Sequence, residues 1–280
     1  MKRAVRLAVL MLPVILGSCM NLDGFMFNHR AQDTYELPDN TLPDSVYTQV
    51  TFKSGDHTLY GYWVQGDSVS GSGLTIFYCH GNQWSIDYYW DRVMYFRKTG
   101  ANVFIFDYRG YGLSEGTPTG PGLEEDTWAA WHFVKDTYNV PDDSLVVYGF
   151  SLGATPAIYI TAQDQTGPLC LFVESTFASA TSLAQGGAGI DLPQYWLADY
   201  DFDNIGMIRK VTCPVFHFHG LADDFCRYRD NGKVLYQEIT APKDHYYPPD
   251  AGHGDVPECT GIDAYVGYIN DWITRCKTGW

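Results

Sequence analysis

Leu145-Val146-Val147-Tyr148-Gly149-Phe150-Ser151-Leu152-Gly153 is the stretch on which the fold turns. An apolar run stops at a glycine, and a serine between two glycines then opens a segment of helical period. Continuous rather than alternating apolar residues mark a strand covered on both faces. Gly-x-Ser-x-Gly between such a strand and a helix predicts a strained turn with the serine hydroxyl exposed at its apex. The glycines let strand and helix pass close to one another. Out of context the five residues would read as an ordinary tight turn. Here Ser151 reads as a nucleophile.

Working outward, four more short apolar runs stand at Leu74–Cys79, Val103–Phe106, Leu169–Val173 and Val215–Phe218. Segments of helical length and period separate them: Trp84–Lys98, Gly122–Tyr138, Leu152–Ala162 and Arg227–Ile239. This alternation predicts an α/β chain with a doubly wound, mostly parallel sheet. Upstream, Val46, Thr48, Val50 and Phe52 alternate with other residues, Gly55-Asp56 makes a turn, and Leu59, Gly61 and Trp63 keep the same period. That is an antiparallel hairpin. No break in composition divides residues 45–280, so they are read as one domain. A segment at about 178–210, with Gly186-Gly187-Ala188-Gly189 followed by Leu192, Tyr195, Trp196 and Leu197, is placed for a small lid.

Ligands of such sheets sit beyond the carboxyl ends of the strands. Leu74–Cys79 is followed by His80-Gly81-Asn82, and Val215–Phe218 by His219-Gly220-Leu221-Ala222-Asp223-Asp224. A short extended stretch at Asp244–Tyr247 is followed by Gly252-His253-Gly254. Acyl transfer needs a base for the serine proton, an acid to hold that base, and two N–H groups for the oxyanion. The order Ser151, Asp223, His253 supplies the nucleophile, the acid and the base. The amides of Leu152 and Asn82 supply the oxyanion hole. Asp224 stands beside Asp223 as the alternative acid.

These residues together resemble the α/β-hydrolase superfamily, in particular its serine-hydrolase group of Bem46-type and ABHD13-type proteins. The resemblance covers roughly residues 46–275. It rests on His80-Gly81-Asn82, Asp107-Tyr108-Arg109-Gly110-Tyr111-Gly112-x-Ser114-Glu115-Gly116, Gly149–Gly153, Glu174-Ser175-Thr176-Phe177, Cys213-Pro214-Val215 and Gly252-His253. It implies Ser151 as nucleophile, His253 as base and Asp223, by its spacing from His219-Gly220, as the orienting acid. The Asp107–Gly116 loop and Glu174 would brace the strand ends. A small residue and glycine usually follow His-Gly-Asn in this group, whereas Gln83-Trp84 stands here. Trp84 would then narrow or wall the pocket, with His80, Tyr111 and Trp196 as further pocket candidates. A carboxylic ester or thioester is the implied substrate, and no cofactor or metal is needed. His217-x-His219 lacks a third ligand. The alternatives are a peptidase of the same fold, a non-catalytic binding protein on this scaffold, or a structural lipoprotein.

The start of the chain predicts an exported protein. Lys2, Arg3 and Arg6 precede an apolar run from Leu7 to Leu16, and Leu16-Gly17-Ser18-Cys19 closes it. A basic start, a short apolar run and small residues make a secretory signal, and the run is too short to span a bilayer comfortably. The last four residues resemble a bacterial lipobox. That implies a signal peptide at 1–18, a lipid on Cys19, and a connecting arm over 19–44 that tethers the domain to a membrane of the bacterial envelope. Export would permit disulfides, and Cys226 with Cys259 or Cys276 is the candidate pairing. A net charge of −15 leaves no basic stripe for phosphates, so nucleic acid is not an expected partner. The expected partners are a small acyl substrate and, through Cys19, a membrane.

Overall fold

A computed structural model of the chain describes residues 26–38, 42–67, 72–164, 166–183 and 200–279. The signal segment, Cys19 and the stretch 184–199 with Trp196 lie outside the described residues.

The strands are β1 (Asn28–His29), β2 (Tyr47–Ser54), β3 (His57–Val64), β4 (Thr75–Cys79), β5 (Gln83–Trp84), β6 (Asn102–Phe106), β7 (Leu145–Phe150), β8 (Cys170–Glu174), β9 (Val215–Phe218) and β10 (Lys243–Tyr246). The helices are α1 (Trp90–Arg97), α2 (Gly120–Tyr138), α3 (Ala154–Gln163), α4 (Asn204–Ile208), α5 (Gly232–Glu238), α6 (Val256–Thr260) and α7 (Ile262–Thr278). Eight strands form one sheet in the order β10-β9-β8-β7-β4-β6-β3-β2. From β10 to β6 every pairing is parallel, while β3 joins β6 and β2 joins β3 antiparallel. The hairpin turns at Gly55, whose φ of 56° suits a residue without Cβ.

The continuous apolar runs make sense at the level of packing. Successive side chains of a strand point to opposite faces, and here each face has its own core. Phe77, Val147, Leu171 and Val173 pack with Leu123 and Trp131 of α2 and Ala157 and Ile158 of α3. Ile76, Tyr78, Val146, Tyr148 and Phe172 pack on the other face with Trp90, Val93 and Phe96 of α1 and Tyr265, Ile269 and Trp272 of α7.

The chain leaves β4 for β6 on one side and later returns to β7 on the other. The crevice between the ends of β4 and β7 is therefore a topological switch point, where ligands of such sheets bind. His80-Gly81-Asn82 and Ser151 lie at those two ends.

Residues 26–37 are drawn onto the domain rather than leading up to it. Met26 and Phe27 are buried in the core on the α2–α3 face of the sheet, where Phe27 packs edge-on against Phe202. β1 pairs in parallel with β5, setting Asn28 beside Gln83 and His29 beside Trp84. The Gln32 amide donates to the Gly112 carbonyl and the Gly112 amide to the Arg30 carbonyl, both at 2.9 Å, and Tyr35 Oη donates to Asp107 Oδ2 at 2.6 Å.

The expected disulfide does not form, since all six described cysteines are free thiols. Cys226 is fully buried and its amide is committed to Asp223, whereas Cys259 is exposed on α6. Cys276 lies beside Cys170 instead. No helix among the described residues is long and apolar enough to cross a membrane.

Candidate active site

At the end of β7, Ser151 has φ 54°, a left-handed conformation that a non-glycine residue adopts only where its surroundings impose it. Three contacts impose it. A Cβ on Gly153 would collide with the carbonyl oxygens of Cys79 and His80, and one on Gly149 would collide with Ala154. Thr176 Oγ1 donates to the Ser151 carbonyl at 2.8 Å.

Ser151 Oγ lies 2.8 Å from His253 Nε2, and His253 Nδ1 lies 2.9 Å from Asp223 Oδ2. With a proton on Nδ1 directed at the carboxylate, Nε2 presents its lone pair to the serine hydroxyl. The other oxygen, Asp223 Oδ1, accepts the amides of Phe225 at 3.0 Å and Cys226 at 2.7 Å. Asp223 is buried and Asp224 is exposed, so the structure brings Asp223 and not its neighbour to the histidine. Behind the acid, His219 Nε2 donates to the Cys226 carbonyl at 2.7 Å and lies 3.5 Å from Asp223 Oδ2. Burial pushes the His219 and His217 imidazoles toward the neutral form.

The histidine loop is held by a residue that the sequence did not single out. Arg92 of α1 reaches under it, and Nη2 donates to the Gly254 carbonyl at 2.9 Å. Nη1 sits 2.8 and 2.9 Å from the two oxygens of Glu174. Tyr148 and Tyr265 also donate hydroxyls to Glu174 Oε2, and burial keeps both phenols protonated. The Arg92 guanidinium covers the Phe150 ring at 4.1 Å, and that ring flanks His253. No local motif announces Arg92. The only sequence signal is a cation among the apolar residues Trp90, Val93 and Phe96 of an amphipathic helix.

Across the crevice, the His80-Gly81-Asn82 turn is fastened from behind. His80 is fully buried, and its Nε2 is 3.0 Å from Asp107 Oδ1. Asp107 also accepts the Ile86 amide at 3.1 Å and the Tyr35 hydroxyl. Burial raises its carboxyl above the ordinary carboxylate range. Arg109 of the same loop is bound by Asp126 at 2.8 Å and by Glu125. The charges of this loop thus hold backbone. Asn82 Nδ2 donates to the Met26 carbonyl at 3.1 Å, and the Gln83 amide donates to Tyr89 Oη at 3.1 Å.

A cleft of about 570 Å³ opens at Ser151 and His253. Asn82, Tyr88, Tyr89, Arg92, Phe150 and Phe225 line it, with Asp91, Tyr95 and Glu258 at one side. Three pocket candidates are corrected here. His80 and Tyr111 have no exposed surface and serve as struts beneath the turn, Tyr111 Oη donating to the Asn82 carbonyl at 3.2 Å. Trp84 does not line the cleft. It stands 46% exposed outside the lip, its ring 4.8 Å from Tyr88, with φ 55°. Phe225, 4.9 Å from the His253 ring, is a cleft wall that the sequence did not indicate. Asn204 and Phe202 pack at one end of the expected lid, and the ends at Ala180 and Asp201 are tied by a backbone hydrogen bond of 2.7 Å. Among the described residues no group of three His, Cys, Asp or Glu side chains is placed to hold a metal.

A mostly parallel sheet with a strained serine turn at its switch point, facing a histidine and an aspartate from two later loops, defines an α/β-hydrolase-type scaffold. The description "alpha/beta hydrolase fold" belongs to the family whose pattern matches residues 75–212. The uncharacterized protein YfhR of Salmonella typhimurium is 30% identical over 261 residues, covering 86% of this chain and 84% of its own. Human alpha/beta hydrolase domain-containing protein 17B is 29% identical over 159 residues, 57% of this chain and 52% of its own. Among solved structures, the Pyrococcus furiosus esterase Pf2001 superposes with a TM-score of 0.70 at 21% identity, covering 90% of this chain and 98% of that one. This chain belongs to the α/β-hydrolase superfamily.

Proposed function

We propose that this protein is a serine hydrolase that cleaves a carboxylic ester or thioester through an acyl-enzyme on Ser151. The observation that carries the reading is the chain of hydrogen bonds from Ser151 Oγ through His253 to Asp223, opening into the cleft. Ser151 Oγ bonds to the substrate carbonyl carbon as its proton passes to His253 Nε2. The tetrahedral oxyanion lies against the amides of Leu152 and Asn82. The neighbouring Gln83 amide is already engaged by Tyr89, which leaves the Asn82 amide for this role. Collapse breaks the bond to the leaving oxygen or sulfur, which takes the proton from His253. Water, deprotonated by the same nitrogen, then releases the acid and restores Ser151. Each oxyanion donor is worth about 100- to 1000-fold in rate.

The similarity to the Pf2001 esterase and to alpha/beta hydrolase domain-containing protein 17B supports the same class. The Bem46-type and ABHD13-type grouping, and the bacterial lipoprotein anchor at Cys19, are parts of this proposal that rest on sequence motifs. A series of chromogenic esters and thioesters of increasing chain length tests the function, with Ser151→Ala alongside. Turnover by the wild type and its loss in the variant are expected. A folded wild type inert to the whole series would favour a binding protein on this scaffold. The anchor is tested separately, because Cys19→Ala should release the protein from membranes.

A further inference from the structure

We propose that the mouth of the Ser151 cleft docks on a zwitterionic lipid bilayer, from which the enzyme draws its acyl substrate. This rests on the hydrolase and anchor readings above and adds an orientation to them.

Among the described residues, the large apolar side chains with the most exposure are Tyr88, Trp84, Leu221 and Phe225, at 44–48%. Tyr88 and Phe225 both line the cleft, and the Trp84 ring packs edge-on against Tyr88. Trp84 is presented outward by a left-handed backbone that β-pairing with the arm holds in place. Aromatic rings with one wet edge are the side chains that favour the membrane–water interface.

The tether leads to the same place. The Met26 carbonyl is bound by Asn82, a cleft residue, and β1 runs beside Gln83-Trp84. Cys19 precedes Met26 by seven residues. Seven residues reach at most about 25 Å, whereas a domain of this size is roughly 45 Å across. A domain anchored at Cys19 therefore cannot turn this mouth to its far side. The tether is kept this short because Met26 and Phe27 are buried and β1 pairs with β5, and Gln32 bonded to Asp87 and Tyr35 to Asp107 hold the arm further along. Charge selects the lipid. The chain is strongly acidic and Asp91 and Glu258 border the cleft, so an anionic surface would repel this face.

The test uses the full lipidated protein in phosphatidylcholine vesicles. Two variants are compared with wild type: Trp84→Asn, because Asn accepts a left-handed φ, and an insertion of twenty Gly/Ser residues between Asp23 and Gly24. The readout is the rate on a long-chain ester held in the vesicles, divided by the rate on a short water-soluble ester. Each variant should lower this ratio about fivefold or more, as orientation and effective concentration are lost, with the soluble rate unchanged. Adding phosphatidylglycerol should lower it for the wild type too. Unchanged ratios in both variants would overturn the proposal while leaving the hydrolase reading intact. Failure of the wild type to cleave the soluble ester would strike the hydrolase reading instead. Docking is then decided by brominated-lipid quenching, which Trp84→Asn must reduce if this face meets the bilayer. Equal quenching in the wild type and in Trp84→Asn would overturn the docking, whereas failure of the wild type to float with vesicles would strike the anchor reading and the proposal with it.

Discussion

His253 is the residue on which the candidate site depends, and two groups fix its ring. Asp223 sets the tautomer through Nδ1, and Arg92 holds the loop through the Gly254 carbonyl. Arg92→Lys keeps the cation near Glu174 but has no second branch to reach Gly254. We expect it to lower kcat on a soluble ester roughly tenfold with a smaller change in KM, as a misplaced base does. Arg92→Met should cost about 3–5 kcal/mol of stability, because Glu174 would remain buried without its cation. Urea unfolding separates the two effects. Ser151 and Asp223 were readable because each follows an apolar run within a few residues, and His253 because it sits in a Gly-His-Gly turn after a short extended stretch. Arg92 was not, since its partners Glu174 and Gly254 lie 82 and 162 residues away and nothing local marks the contact.

At the scale of elements, the serine turn is a close crossing of β7 and α3 over the end of β4. Gly153→Ala would push a methyl into the carbonyls of Cys79 and His80. It should cost roughly 1–3 kcal/mol or more and shift the oxyanion turn, so that activity falls further than the melting temperature alone explains. Steady-state kinetics on the folded fraction checks this. The strand runs were legible because each alternates between two apolar cores, which leaves few polar residues, such as Thr75 and His217, to blur the pattern. The arm was less so. Its polar residues read as a linker, yet Met26, Phe27 and Tyr35 tie it to the oxyanion turn through partners scattered over residues 82–112. α7 has the spacing of an amphipathic helix in Tyr265, Val266, Ile269, Trp272 and Ile273, a period present in the sequence but not used in the reading above.

For the whole molecule, stability should depend on acid through two buried imidazoles. Burial lowers His217 and His219 below their ordinary value of 6.5, so the folded chain holds both neutral. The unfolded chain protonates them below about pH 6.5. Their stabilising contribution is thus complete above that pH and is lost as pH falls toward the folded values. The loss is about 1.4 kcal/mol per pH unit for each histidine. Melting curves between pH 7.5 and 5 should show it, and His217→Gln should flatten the slope by about half. The architecture was readable because alternation of strands and helices admits few topologies. The cysteine pairing was not, because it depends on which thiols the fold buries.

The most direct test of the central claim is labelling with a fluorophosphonate, followed by mass analysis of the modified peptide. The account predicts one phosphonyl group on Ser151, lost in Ser151→Ala and strongly slowed in His253→Ala. A folded protein that stays unlabelled, or that is labelled equally well in Ser151→Ala, would contradict it.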